Sequence, residues 1–360
     1  MDKVMILGAG HVGRLLARLL HESPSYDVVL VDVHNVLPFA DGVNLKTMNL
    51  DARDPDVLAQ VFQDEKIQAV VSCLPYFLNI AVAKVAHASG VAYFDLTEDV
   101  ATTNLVKGLA QTAKAPMMPQ CGLAPGLVNI IAADLVKKLD EVETLELCVG
   151  ALPDSSSHPL KYALTWSVDG LINEYCNPCP AMVGGVYREL PPLEGVKDIH
   201  LLNLQLESFH TSGGVGTLID TYGKTIPNIA YKTLRYPGHA ALMRFLLTDL
   251  NMRDDRETLK RILSGVLPEN TDDCVYIYVS AKGMKQGKSA EVVFINKYHS
   301  LMLFGERIPA IAITTAASCA AVMDLLLQQG TKPNRLVTQE EFTLSDLFAN
   351  QFGSYLKSEG

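Results

Sequence analysis

A doubly wound parallel α/β sheet at the N-terminus, joined to a second α/β domain built on a mixed sheet, is the fold class this sequence predicts. Three observations carry it. Short apolar runs alternate with stretches of helical period from Lys3 to about Gln120, a glycine-rich turn links the first run to the first helix, and the pattern turns β-rich past Val142.

The apolar runs fall at residues 4–7, 28–33, 69–73, 91–95 and 116–120, and helical spacing fills 12–20, 57–62, 80–88 and 105–113. Strands that alternate with helices form a parallel sheet through right-handed crossovers. After a helix expected at 127–139, strands are expected at 142–149, 201–207, 230–235, 274–281 and 290–296, with helices at 240–250 and 256–263. The small-residue helix 311–327 has the composition of the first domain's helices, so the chain is expected to return there. This divides the sequence into a first domain at 1–125, a second at 126–308, a returning helix at 309–330 and a tail at 331–360. The tail carries amphipathic spacing at Leu344, Leu347, Phe348, Phe352 and Leu356, suited to packing on its own subunit or on a partner.

With 360 residues, 48% hydrophobic and 19% charged, the chain can fill two cores and is too apolar to be disordered. Its net charge of -10 repels phosphate backbones and anionic headgroups, so the expected partner is a small molecule, with neither nucleic acid nor membrane. Met1-Asp2-Lys3 runs straight into an apolar strand without the layout of an export signal, and a cytoplasmic location is expected. The most membrane-like stretch, 308–327, is interrupted by Thr314, Thr315, Ser318 and Asp324, and reads as a buried helix. Seven scattered cysteines, an odd number, fit a reducing compartment. Cys176 and Cys179 form a C-x-x-C without a second pair or nearby histidines, so the spacing reads as a coincidence of a loop, with a redox pair or half a metal site as the alternatives, and no metal is expected.

Gly8-Ala9-Gly10-His11-Val12-Gly13 follows the first strand and opens a helix, the context in which G-x-G-x-x-G binds a dinucleotide. The first glycine allows the turn, the second admits the pyrophosphate, and the third lets helix and strand pack closely. Asp32 ends the second strand about 20 residues on, where such a Rossmann domain places an acid against the adenosine ribose. A carboxylate there accepts from a free 2'-hydroxyl and repels a 2'-phosphate, so NAD is the expected cofactor. Cys73, Leu74 and Pro75 end the strand 69–73 at the carboxyl edge, where ligands sit, and Asp51, Gly122 and Leu123 are counted with the cofactor-binding positions. Asp95 and Glu98 close the next strand, either at the crevice or as helix-capping acids.

The segments 120–129 (QCGLAPGLVN) and 233–239 (TLRYPGH), with the glycine motif and Ser72-Cys73-Leu74-Pro75, resemble the saccharopine dehydrogenase family, and within it the lysine 6-dehydrogenase branch. The resemblance covers most of the chain. It implies a second domain that carries the substrate pocket and the contact of a homodimer or higher homo-oligomer, and oxidation of a C–N bond at a lysine side-chain nitrogen. The product would be an iminium that water attacks, releasing ammonia and leaving a semialdehyde that cyclises. Saccharopine reductases typically have Asp where this chain has Ala124, which favours free lysine. The alternatives are a saccharopine dehydrogenase and a non-catalytic dinucleotide sensor.

Arg235 is the candidate for a substrate carboxylate, because a guanidinium pairs bidentately with it, or else it makes a structural ion pair. His239 is a candidate acid or base, or a packing residue. The turn from Thr211 and Ser212 to Gly216, and Trp166, the only tryptophan, are candidates for pocket walls, or for an ordinary turn and core. The general base is open among Glu98, Asp95, Asp169 and His239.

Overall fold

The computed structural model describes residues 1–154, 158–268, 272–328 and 332–357. It divides into two compact units. The first comprises Met1–Leu127, Met302–Ile308 and Ala312–Glu359, and the second comprises Val128–Leu301 with Pro309–Ile311 and Gly360.

In the first unit, strands β1 (Asp2–Leu7), β2 (Tyr26–Asp32), β3 (Lys46–Asn49), β4 (Ala69–Ser72), β5 (Ala92–Asp95) and β6 (Met117–Met118) alternate with helices α1 (His11–His21), α2 (Pro55–Asp64), α3 (Tyr76–Ser89) and α4 (Val100–Leu109). The sheet order is β3-β2-β1-β4-β5-β6, parallel throughout. Alternation within each strand serves both faces. Met5, Leu7, Val29, Val31 and Tyr93 pack against Leu58 and Phe62 of α2, Val82 and Ala86 of α3 and Val106 of α4. Val4, Ile6, Val28 and Leu30 point the other way and are just as buried, with α1 on that side. β3 was not among the expected strands, since Lys-Thr-Met-Asn is mostly exposed at the sheet edge and has no apolar alternation.

The first unit is completed from far along the chain. Helix Ala310–Leu327 lies within it from Ala312 onward, and 83% of its length is buried by the protein itself. Asp324, one of its polar interruptions, accepts from Tyr26 Oη at 2.5 Å and Asn350 Nδ2 at 2.6 Å. The tail turns back on the same unit. Leu336 bridges Met117 of β6 in parallel, which extends the sheet edge, and Gln339 Nε2 donates to the carbonyls of Pro119 and Gln120 at 2.7 Å each. Residues 331 and 358–360 of the expected tail lie outside the described residues. The segment Met302–Ile308, assigned from sequence to the second domain, clusters with the first because Phe304 lies 4.3 Å beneath the Arg18 guanidinium and Glu306 faces Arg14.

In the second unit, α5 (Leu127–Val136) leads into β7 (Glu141–Pro153), α6 (Val168–Cys176), β8 (Cys179–Val183), β9 (Val186–Leu190), β10 (Lys197–Leu201), β11 (Leu204–His210), α7 (Leu218–Tyr222), β12 (Asn228–Arg235), α8 (His239–Arg244), α9 (Arg256–Val266), β13 (Asp273–Lys285) and β14 (Lys288–His299). The sheet runs β10-β11-β12-β7-β13-β14, with β8 and β9 attached to β12. It is mixed, because β12 and β7 pair in parallel while the other neighbours are antiparallel. The strand expected at 201–207 is two strands, broken where Leu202 and Asn203 adopt positive φ in a tight turn. On one side of the sheet, α6, α8 and α9 enclose a core of Leu171, Tyr175, Phe209, Met243, Leu259 and Leu263.

Candidate active site

The glycine-rich turn of the first unit has the shape a pyrophosphate requires. Gly8 has φ +100°, and a Cβ on Gly13 would stand 1.9 Å from the Gly8 carbonyl oxygen, so neither position tolerates a side chain. Gly10 differs. A Cβ there meets nothing within 4 Å, and Gly10 is the N-cap of α1 without any side-chain cap. Backbone N–H groups at His11 and Val12 therefore open onto free space at the positive end of the helix. Gly13→Ala is expected to yield insoluble or unfolded protein, whereas Gly10→Ala keeps its melting temperature and loses dinucleotide affinity by at least tenfold in fluorescence titration.

Asp32 Oδ2 accepts from Ala9 N at 2.7 Å and Oδ1 from His34 N at 2.9 Å, which ties the end of β2 to the glycine turn. Cys73 and Leu74 press on Gly8 from the end of β4, and Cys73 is partly buried, its thiol pushed well up by desolvation. Pro75 is the N-cap of α3. Asp51, beyond β3, is engaged elsewhere: Arg53 grips it bidentately at 2.6–3.0 Å and holds its carboxyl down to about 2. Gly122 and Leu123 lie in the turn after β6, with Leu123 buried and Gly122 bridged to Gly126. Cys121 is buried and donates to Met118 O at 3.1 Å, so it packs.

Asp95 is a latch rather than a helix cap. Fully buried, it accepts from Tyr93 Oη at 2.7 Å, Thr97 N at 3.0 Å and Gln120 N at 2.9 Å, while the cap of α4 is Asp99. Glu98, half-buried, precedes that cap. Burial raises the Asp95 carboxyl from 3.8 to about 6, against the pull of those three donors. A raised folded pKa means the native state holds this proton more tightly. The stabilisation is therefore full below pH 4 and lost as pH rises to 6, about 3 kcal/mol in all. Asp95→Asn should be less sensitive: urea midpoints of wild type and variant are expected to diverge in the variant's favour between pH 4 and pH 7, and a constant difference would refute the assignment.

In the second unit the segment 233–239 builds a buried polar cluster. Arg235 ends β12, opposite Glu207 of β11, and is 3% exposed. Its guanidinium lies 4.8 Å from the Tyr162 ring centroid; Nε donates to Tyr175 Oη at 3.0 Å and Nη1 to its neighbour's carbonyl at 2.9 Å. No carboxylate among the described residues forms a salt bridge with it. Glu174 is near enough to act on it electrostatically. Two of five N–H donors are thus committed, and the rest retain their capacity.

His239 is fixed by what surrounds it. The Glu207 carboxylate accepts from Gly238 N at 2.8 Å and Ala240 N at 2.6 Å, capping α8 and holding the histidine at its first turn. Nδ1 stands 2.6 Å from the Leu160 carbonyl, which can only accept, so Nδ1 carries the proton and Nε2 accepts a hydrogen bond from the Tyr175 hydroxyl at 3.0 Å. Burial, then the Arg235 charge, lowers its pKa to about 3. As a titrating acid or base near neutral pH His239 is therefore corrected: it is a neutral acceptor that orients Tyr175. An activity profile is expected to show no limb from His239, and a limb near pH 6–7 lost in His239→Gln would contradict this.

Thr211 Oγ1 meets Thr233 Oγ1 at 2.7 Å, both buried, and Ser212 N donates to Glu174 O at 3.0 Å. Trp166 packs on the α6 core and donates to Tyr162 Oη at 2.9 Å, so it supports a ring that flanks Arg235. Asp169 is paired with Lys260 at 2.8 Å, at a distance in role from the Arg235 cluster. Sequence reasoning missed Tyr162, Tyr175, Glu174 and Glu207. The available signal was the helix 168–176, where Gly170 through Cys176 are all buried, Glu174 included.

A 3-2-1-4-5-6 parallel sheet with an open glycine cradle and an acid at the second strand end defines a Rossmann-type dinucleotide-binding fold. The chain belongs to the saccharopine dehydrogenase family: the saccharopine dehydrogenase NADP binding domain matches residues 4–118 and the saccharopine dehydrogenase C-terminal domain residues 122–360. Curated relatives include the mitochondrial alpha-aminoadipic semialdehyde synthases of Bos taurus, 26% identical over 272 residues, and of Mus musculus, 24% identical over 273. These alignments take in 70% and 72% of the chain and 29% of each relative, so the chain spans under a third of their length. Apo saccharopine dehydrogenase (L-Glu forming) from Saccharomyces cerevisiae shares the fold at a TM-score of 0.74 with 15% identity, covering 94% of both chains.

Proposed function

We propose that the protein is an NAD-dependent dehydrogenase that oxidises the C–N bond at the ε-nitrogen of L-lysine, releasing ammonia. The observation that carries the reading is Arg235: a guanidinium 3% exposed, stacked on tyrosine and without a salt-bridge partner among the described residues. The Glu174 charge and the tyrosines offset the burial of this cation, and its uncommitted donors suit an amino acid's α-carboxylate, which is planar and bidentate. Tyr175, pinned between Arg235 and His239, keeps the guanidinium plane in one orientation.

A bound nicotinamide would supply the hydride acceptor for the carbon that bears the amine. The protein's own residues cradle the pyrophosphate at Gly10 and fix the ribose end through Asp32. The matching domain is described by NADP; Asp32 favours NAD, since a 2'-phosphate about 4 Å from its carboxylate meets about 4 kcal/mol of repulsion per unit charge at an effective dielectric near 20.

A second reading, oxidative cleavage or formation of saccharopine, is favoured by the names of the curated relatives and of the yeast neighbour, while Ala124 favours free lysine. Both are tested at once by following reduced-cofactor formation with NAD or NADP and with lysine or saccharopine, ammonia being assayed in parallel. Ammonia from lysine supports the first reading and turnover of saccharopine alone supports the second. Silence with both, despite tight dinucleotide binding, would overturn the enzyme assignment and leave a sensor.

A further inference from the structure

Three residues distant in sequence meet at one end of the second unit's sheet. Cys274 is the second residue of β13 and pairs directly with His299, the last residue of β14, while Asp154 follows the end of β7, the strand on the other side of β13. The Cys274 thiol donates to Asp154 Oδ1 at 2.9 Å and lies 3.4 Å from His299 Nδ1, and the three ligating atoms fall within 4.8 Å of one another. Cys274 is buried; Asp154 and His299 are exposed, so the cluster has a solid floor and an open mouth.

We infer that Asp154, Cys274 and His299 form a site for a divalent cation of the zinc class. Tetrahedral coordination with bonds near 2.0–2.3 Å sets ligand atoms about 3.3–3.7 Å apart, so the imidazole at 3.4 Å from the sulfur already fits and the carboxylate at 2.9 Å must move outward as the cation displaces the thiol proton. One sulfur, one imidazole nitrogen and one carboxylate oxygen suit zinc or cobalt and exclude magnesium and calcium, which take oxygen shells. Thiolate and carboxylate together neutralise the cation, and water completes the fourth position. Binding sends the thiol proton to solvent; no electron moves. The ammonium of Lys297, on the same strand as His299 and electrostatically linked to Cys274 and Asp154, balances the carboxylate in the metal-free protein and moves toward solvent when the cation enters. Strand pairing supplies the rigidity, since the register of β7, β13 and β14 fixes all three backbones.

The test is a titration of chelator-treated full-length protein with cobalt(II). One equivalent should produce the near-ultraviolet thiolate charge-transfer band and the visible bands of tetrahedral cobalt, and zinc should erase both. Cys274→Ser should abolish the charge-transfer band. His299→Ala and Asp154→Asn, at exposed positions where folding is safe, should weaken binding by at least tenfold. The inference is overturned if the unchanged protein gives no such band, if the band persists in Cys274→Ser because other thiols such as Cys176 and Cys179 bind the ion, or if both exposed-residue variants bind cobalt as tightly as wild type.

Discussion

Arg235→Met is expected to lower kcat/KM for the amino-acid substrate by about 10³-fold, most of it in KM, with NAD affinity unchanged. Two charge-assisted hydrogen bonds to a carboxylate are worth about 2 kcal/mol each in a buried setting, and both vanish. The variant also leaves the Tyr175 hydroxyl without its Nε donor, so a thermal melt must accompany the kinetics. Arg235→Lys separates charge from geometry. Lysine restores the positive charge but not the planar fork, and recovery of less than a tenth of wild-type kcat/KM is expected. Full activity in either variant would place substrate recognition elsewhere. Since the glycine cradle belongs to the other unit, a loss of NAD binding would point instead to general misfolding.

Asp32→Asn should shift cofactor choice. Asparagine keeps an oxygen for the Ala9 N–H and removes the charge, so the glycine turn is preserved while repulsion of a 2'-phosphate is relieved. Removing about 3–4 kcal/mol of unfavourable interaction converts to a change of about two orders of magnitude in the ratio of KM for NADP to KM for NAD, before screening reduces it. The measurement is both KM values at fixed ionic strength. If wild type already prefers NADP, the reading of Asp32 fails outright, and its role is limited to tethering Ala9 and His34.

The parts of this protein legible in its sequence are those whose physics is local. Gly8, Gly10 and Gly13 declare a turn that side chains would block, and Asp32 stands a fixed distance along one βα unit, so the cofactor cradle could be located from neighbours in the chain. β3 could not, because its membership in the sheet comes from pairing with β2 and leaves no mark in Lys-Thr-Met-Asn. Asp95 and His239 illustrate the second kind of gap. An Asp between a strand and a helix has the signature of a cap, and only burial under Tyr93 and Gln120 makes it a latch. His239 looks titratable until Leu160, 79 residues away, fixes its proton and the core removes its water. Glu207 and Tyr175 were silent for the same reason: a buried polar residue obtains its meaning from what the fold sets opposite it.

The way the first unit is closed has a consequence for synthesis. Its sheet edge at β6 is extended by Leu336, and the helix that buries residues down to Leu327 arrives only after the whole second unit has been translated. A ribosome that has made residues 1–127 has therefore released every strand from β1 to β6 while the covering segments are still unmade. Apolar surface of that nascent unit stays open for the translation of almost two hundred further residues, about 10–40 s at about 5–20 residues per second. The protein should accordingly depend on chaperones during its own manufacture far more than after it, and N-terminal fragments should aggregate even though they contain the complete dinucleotide motif.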